Sequence, residues 1–252
     1  MERFKKIFAA GVIFVTVLSM SVVVAPEAGA AASAGDLIKM AGLSSVYYLA
    51  ADGKRYVFPN EQTYFSWYSD FSGVVTISQS ELEALPLGAN VTVRPGTKLV
   101  KITTSPKVYA VTANGNLLAV PDEATAATLY GANWNKKIID VPDAFFTNYK
   151  ISAAIVSATA YTQGSLVKFG ASADVFYINA DGTASKIANE AALTANRFKM
   201  TDVITATIVK PTEGVAIAAA VATLTDTSSG AGGVPGAGTG LTVALASDTP
   251  AS

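Results

Sequence analysis

Three stretches of the chain repeat one pattern of apolar and polar positions. Each opens on an apolar pair followed by lysine: Leu37-Ile38-Lys39, Leu99-Val100-Lys101 and Leu166-Val167-Lys168. Seven residues on stand Val46-Tyr47, Val108-Tyr109 and Val175-Phe176, and seven further come Gly53, Gly115 and Gly182, preceded by Asp52, Asn114 and Asp181. The pattern closes on Pro59-Asn60-Glu61, Pro121-Asp122-Glu123 and Ala188-Asn189-Glu190. The distance from lysine to glutamate is 22 residues in every copy. A fixed period of this kind marks a repeat architecture. The first two copies stay in phase further, through Thr63 and Thr125, Tyr68 and Tyr130, Ile77 and Ile139, and Glu81 and Asp143. The third drifts after its glutamate and is shorter. The units fall at about 35–95, 96–160 and a divergent 161–210.

The residue types predict the elements. Val46–Leu49 is β-branched and aromatic, and Tyr56-Val57-Phe58 returns with the same composition, so both read as strands. Asp52-Gly53, Asn114-Gly115 and Asp181-Gly182 read as type I′ hairpin turns, which need positive φ at both central residues. Asn60, Asp122 and Asn189 read as helix N-caps, and Glu61, Glu123 and Glu190 suit the positive end of the helix dipole. Helices are expected over roughly Glu61–Tyr68, Glu123–Tyr130 and Glu190–Phe198. Val74–Ile77 and Ile138–Val141 read as further strands. A helical turn from Ser80 precedes a last strand near Asn90–Val93. The fold class is α+β and mostly β, a tandem array of small hairpin-plus-helix repeats with a flexible Gly-rich C-terminal tail.

The ends of the chain have different patterns. Arg3, Lys5 and Lys6 precede an uncharged run from Ile7 to Ala25, then Pro26 and Ala28-Gly29-Ala30. This reads as a signal peptide over 1–30 with cleavage close to Ala30. An uncleaved anchor is the rival reading, since the run is long enough to span a bilayer. The Pro and the small residues, in place of basic stop-transfer residues, favour cleavage. Past the third unit, 211–227 reads as an apolar connector and 228–240 as a Gly/Ser-rich linker. Residues 241–252 read as the start of a β domain that continues beyond the sequence.

Composition narrows the chemistry. The 252 residues include no Cys and no His, which excludes disulfides, Cys/His zinc sites and triads built on His or Cys. Eighteen basic against 19 acidic residues leave a net charge of −1, without the basic footprint of a nucleic-acid binder. Paired carboxylates at Glu81 and Glu83, or at Asp140 and Asp143, have the spacing of exposed charge near a helix start. No orienting group accompanies them. Tyr47, Tyr48, Trp67 and Tyr68 belong to an aromatic cluster that suits a core, with a glycan-stacking face as the competing use. The recurring Lys39, Lys101 and Lys168 read as lysines guarding a strand edge. No cofactor or metal is expected, and Asp52-Gly53 lacks the ligand spacing of a calcium loop.

The stretch VYYLAADGKRYVFPNEQTYFSWYSDFSGVVTI (46–77) resembles a motif near the N-terminus of S-layer-like bacterial cell-surface proteins, where it also follows a signal peptide. The resemblance covers about 35–160 well. It implies an exported structural protein of the cell envelope, secreted or on the cell surface and without catalytic residues. Its partners would be further copies of itself or envelope glycans, with the membrane involved only during export unless the leader is retained. A wall- or glycan-binding anchoring module is the alternative, and a carboxylate-based glycan hydrolase a second one.

Overall fold

The computed structural model describes residues 31–228. The leader read over 1–30, the linker past Ser228 and the strand start in 241–252 lie outside them. The described chain is α+β and mostly strand. Unit 1 runs β1 (Leu37–Met40), β2 (Tyr47–Leu49), β3 (Arg55–Val57), α1 (Glu61–Trp67), β4 (Val74–Ile77), α2 (Gln79–Ala84) and β5 (Leu87–Asn90). Unit 2 runs β6 (Leu99–Ile102), β7 (Val108–Thr112), β8 (Asn116–Ala119), α3 (Glu123–Tyr130), β9 (Ile138–Val141), α4 (Asp143–Phe146) and β10 (Lys150–Ile155). Unit 3 runs β11 (Leu166–Lys168), β12 (Phe176–Ile178), β13 (Ala184–Lys186), α5 (Glu190–Ala195), β14 (Ile204–Thr205) and α6 (Ala222–Thr225).

The sheet orders are β4-β1-β2-β3-β5, β9-β6-β7-β8-β10 and β14-β11-β12-β13, so the three units share one topology. An antiparallel three-stranded meander is flanked by strands that return parallel to it. In unit 3 the fifth strand is reduced to parallel bridges Ala184↔Glu213 and Ile187↔Ile217. The segment read as a connector over 211–227 therefore belongs to unit 3. It carries Ile217 and Leu224 into the core.

Register corrects the phase read from the sequence. Ile38 and Val167 are 129 apart, and so are their parallel partners Val75 and Ile204, so unit 3 stays in phase with unit 1 past its helix. Leu37 and Leu99 are 62 apart, but their partners Val74 and Ile138 are 64 apart. Unit 2 thus holds two extra residues in the turn after α3, and Ile77 corresponds to Val141, not Ile139. The lysines also differ from expectation. β1, β6 and β11 are paired on both sides, so Lys39, Lys101 and Lys168 guard no edge. Lys101 instead pairs at 2.5 Å with Asp140 on the neighbouring strand β9.

The hairpins use two turn chemistries. In unit 2, Asn114 (φ 60°, ψ 27°) and Gly115 (φ 67°) form the expected type I′ turn, closed by Asn116 N–H on Ala113 O. In units 1 and 3 only the glycine has positive φ, 75° at Gly53 and 82° at Gly182. These are type I turns followed by a glycine bulge, closed by Gly53 N–H on Ala50 O and Gly182 N–H on Asn179 O. The cause is the aspartate. Asp52 accepts from Lys54 N–H at 2.9 Å, and Asp181 from Thr183 N–H at 3.0 Å. Such a local side-chain bond holds the residue in a turn without positive φ.

The three repeat helices, α1, α3 and α5, start as expected. Asn60, Asp122 and Asn189 accept from the backbone N–H of Thr63, Thr125 and Ala192 at 2.7–2.8 Å. α5 stops at Ala195, short of the expected Phe198. Arg197 takes the left-handed conformation (φ 57°), its N–H bonding Thr194 O while Phe198 N–H reaches Leu193 O. This is a Schellman stop built on arginine where glycine is usual.

The core explains why unit 3 diverges. Alternate residues of β11 and β12 enter opposite clusters. Leu166, Val175 and Tyr177 pack with Leu37, Tyr48 and Trp67 of unit 1. Val167, Phe176 and Ile178 pack with Leu99, Ala110 and Leu129 of unit 2. Unit 3 is therefore the middle layer, with β12 buried throughout. The outer faces of units 1 and 2 close differently, Ile38 and Leu49 with Leu82 of α2, and Val100 and Val111 with Phe145 and Phe146 of α4. Among the described residues no helix is long and apolar enough to cross a membrane.

Candidate functional site

The aromatic cluster is mostly core. Trp67 is fully buried and donates its indole N–H to Thr92 O at 2.8 Å, and Tyr48 is buried beside it. Neither ring has a face open to a glycan, so the stacking role considered for them does not apply. Tyr68 is half-buried, holding Thr227 and Arg197 through its hydroxyl, and Arg55 lies over the half-buried Tyr47 ring at 5.1 Å. Burial pushes the Tyr64 phenol up to about 12.

The strongest electrostatic feature is one the sequence reading missed. Residues 91–97, joining units 1 and 2, are buried without a break. Their backbone groups are bonded to both units: Val91 N–H to Val57 O, Val93 N–H to Tyr149 Oη, Arg94 N–H to Ser66 Oγ and Gly96 N–H to Val111 O. Arg94 is 2% exposed. Its guanidinium donates to the carbonyls of Arg197 (2.6 Å), Asn196 (2.7 Å) and Leu224 (3.3 Å) and lies between the Trp67 and Phe198 rings. Desolvation pushes it down to about 10, still charged at neutral pH. Two of these carbonyls, of Asn196 and Arg197, lie at the C-terminal end of α5, where the helix dipole favours a cation, and the third, of Leu224, lies in α6. Lys199 does the same for α1, donating to Phe65 O and Tyr68 O. Lys98 joins unit 2 to Asp202 of unit 3 at 3.1 Å. These cations lock the layers together. A lone arginine in an apolar run has no sequence signature that separates it from a surface charge.

The carboxylates considered for catalysis have local partners. Glu81 completes a capping box with Ser78, whose hydrogen bonds hold its carboxyl below the usual range. A depressed, exposed carboxylate is the opposite of a raised general acid. Asp140 pairs with Lys101, and Asp143 accepts from Thr104 Oγ1 at 3.2 Å at the start of α4. Glu83 accepts from Gln79 Nε2 at 2.6 Å. The described residues contain no group of three or more acidic side chains placed to hold a metal.

A concave feature recurs at one place in every unit. In unit 1 a cleft of about 350 Å³ lies between the strand ends and the start of α1, walled by Val46, Phe58 and Tyr64 and closed by Phe71. Unit 2 has Val108, Val120, Ala126 and Trp134 around about 370 Å³. Unit 3 has Val175, Ile187, Leu193 and Met200 around about 360 Å³. Each cleft also presents the N-cap and the following glutamate: Asn60 and Glu61, Asp122 and Glu123, Asn189 and Glu190. The repeated cap positions, read from the sequence as structural, thus also line a repeated cleft.

No protein-family model matches the chain, and no curated protein sequence matches it.

Proposed function

We propose that the chain is a non-enzymatic structural protein exported to the bacterial cell surface, its three units acting as one rigid block. One observation carries this reading. The recurring residues serve turns, caps and contacts between layers, and of the carboxylates considered for catalysis Glu81 is engaged in a capping box and Asp140 in an ion pair with Lys101. A block whose central layer is shared by both outer layers transmits load from one to the other through packed side chains. Such interiors have low compressibility. The resemblance of 46–77 to S-layer-like proteins and the leader-like N-terminus point to the same place.

The test is protease shaving of intact producing cells, followed by mass spectrometry. Peptides from 31–228 should be released from the surface, and the mature N-terminus should lie between Gly29 and Ala34. Recovery of the full chain only from the cytosolic fraction would overturn the proposal. Hydrolysis of envelope glycans by the purified chain, lost in Glu81→Gln, would overturn its non-enzymatic part.

A further inference from the structure

We infer that the three equivalent clefts are binding sites for aliphatic primary amines, of the kind carried by lysine side chains, one per unit. The inference is independent of where the protein resides.

The clefts have nearly equal volumes, about 350, 370 and 360 Å³, although their wall residues differ in size. Tyr64, Ala126 and Leu193 occupy one wall position, and Phe71, Trp134 and Met200 another. The small Ala126 is matched by the large Trp134, so the space is kept while its lining changes. Phe71 and Met200 are about half exposed, at 48% and 52%, and so leave a large apolar surface at the mouth.

The polar rim selects the ligand. At each helix start the side chain of Asn60, Asp122 or Asn189 already accepts one amide, and the glutamate that follows disfavours an anion. What each rim offers is an exposed glutamate, Glu61, Glu123 or Glu190, joined in unit 2 by the carboxylate of the cap Asp122. None of the three stands in an ion pair among the described residues. Apolar walls ending at an unpaired carboxylate complement an aliphatic stem ending in a cation. The stem covers apolar surface while the ammonium stays at the wet edge beside the glutamate. The rims are not identical. Lys107 lines the cleft of unit 2 and repels a second cation, while Asp122 there is held by the Thr125 amide, so that cleft should be the weakest. Asp174 lines the cleft of unit 3 but is paired with Lys186 at 2.9 Å, leaving Glu190 as its free charge.

The experiment uses the full chain and three blocked tripeptides, with lysine, norleucine or diaminopropionate between glycines. Binding is followed by NMR through the methyls of Val46, Val108 and Val175 and the indole of Trp134. The lysine peptide should shift all three clefts, unit 2 least, and Lys107→Ala should strengthen that site. Norleucine lacks the charge and diaminopropionate the stem, so both should bind about two- to fivefold more weakly. Glu61→Gln should remove the lysine preference in unit 1 alone and leave the other clefts unchanged. Equal binding of lysine and norleucine, shifts confined to one cleft, or no shift up to the solubility of the peptide would each overturn the inference.

Discussion

Replacing Arg94 by methionine separates two opposing effects inside the core. The guanidinium is buried and makes three charge-assisted bonds to carbonyls, at 2.6, 2.7 and 3.3 Å. Bonds to a charged group contribute about 1.5–3 kcal/mol each, so the gross loss is about 4–9 kcal/mol. Against this, removing a charge from a buried site recovers several kcal/mol of desolvation. Methionine refills most of the space between the Trp67 and Phe198 rings, so the cavity cost is small. We expect the carbonyl bonds to win by about 2 kcal/mol, because methionine leaves the carbonyls of Asn196 and Arg197 without the donor that bonded them. For a body of this size that lowers Tm by about 4–8 °C. Urea unfolding read by tryptophan emission gives the value directly, with Trp67 lying against the altered site. The transition should remain single, with its midpoint lowered and its slope unchanged. Arg94→Met as stable as the native chain, or more so, would refute the reasoning and show that desolvation outweighs the bonds.

Further outcomes follow from other positions. Gly96→Ala should destabilise severely, by about 3 kcal/mol or more, because its Cβ would lie 2.0 Å from the Gly164 carbonyl carbon at φ +71°. Gly53→Ala meets nothing within 4 Å at φ +75°, so equilibrium unfolding should show a loss of only about 1 kcal/mol. Asn60→Ala, Asp122→Ala and Asn189→Ala should each cost about 1 kcal/mol, and a spread much wider than that would show that the three caps are not equivalent. Burial pushes the Tyr130 phenol from its ordinary value of 10.0 up to about 12, so between those values the unfolded chain ionises while the folded one stays protonated. Stability should therefore fall as pH rises through that window, by about 1.4 kcal/mol per unit from this residue, and Tyr130→Phe should flatten the slope in pH-dependent denaturation.

The repeat was legible because its signals are local. A cap such as Asn60 bonds three residues away, and the Gly53 turn closes over a similar span, so spacing alone exposes both. The type I′ expectation failed in units 1 and 3 because Asp52 and Asp181 have a second use, bonding a backbone amide two residues on. The apparent drift of unit 3 had another source. Its side chains answer to two neighbouring units, so they diverge while the backbone register persists. Arg94 was invisible for the opposite reason, since its partners Asn196 and Arg197 lie 102 and 103 residues away. The clefts fall between these cases. Their rims were read as caps, but their walls come from residues that only the folded unit brings together.

The middle layer is made after both of the layers it joins. Units 1 and 2 leave the ribosome first, each with an apolar face whose covering residues have not yet been synthesised. Leu37 and Tyr48 wait for Tyr177, and Leu99 and Leu129 wait for Phe176. Assembly from the N-terminus therefore cannot finish one unit at a time, and partly made chains expose the surfaces through which they would stick to one another. A chain that crosses a membrane unfolded and folds only once all three units have arrived avoids that interval. On this account the position of unit 3 in the fold favours late, concerted folding over folding during synthesis.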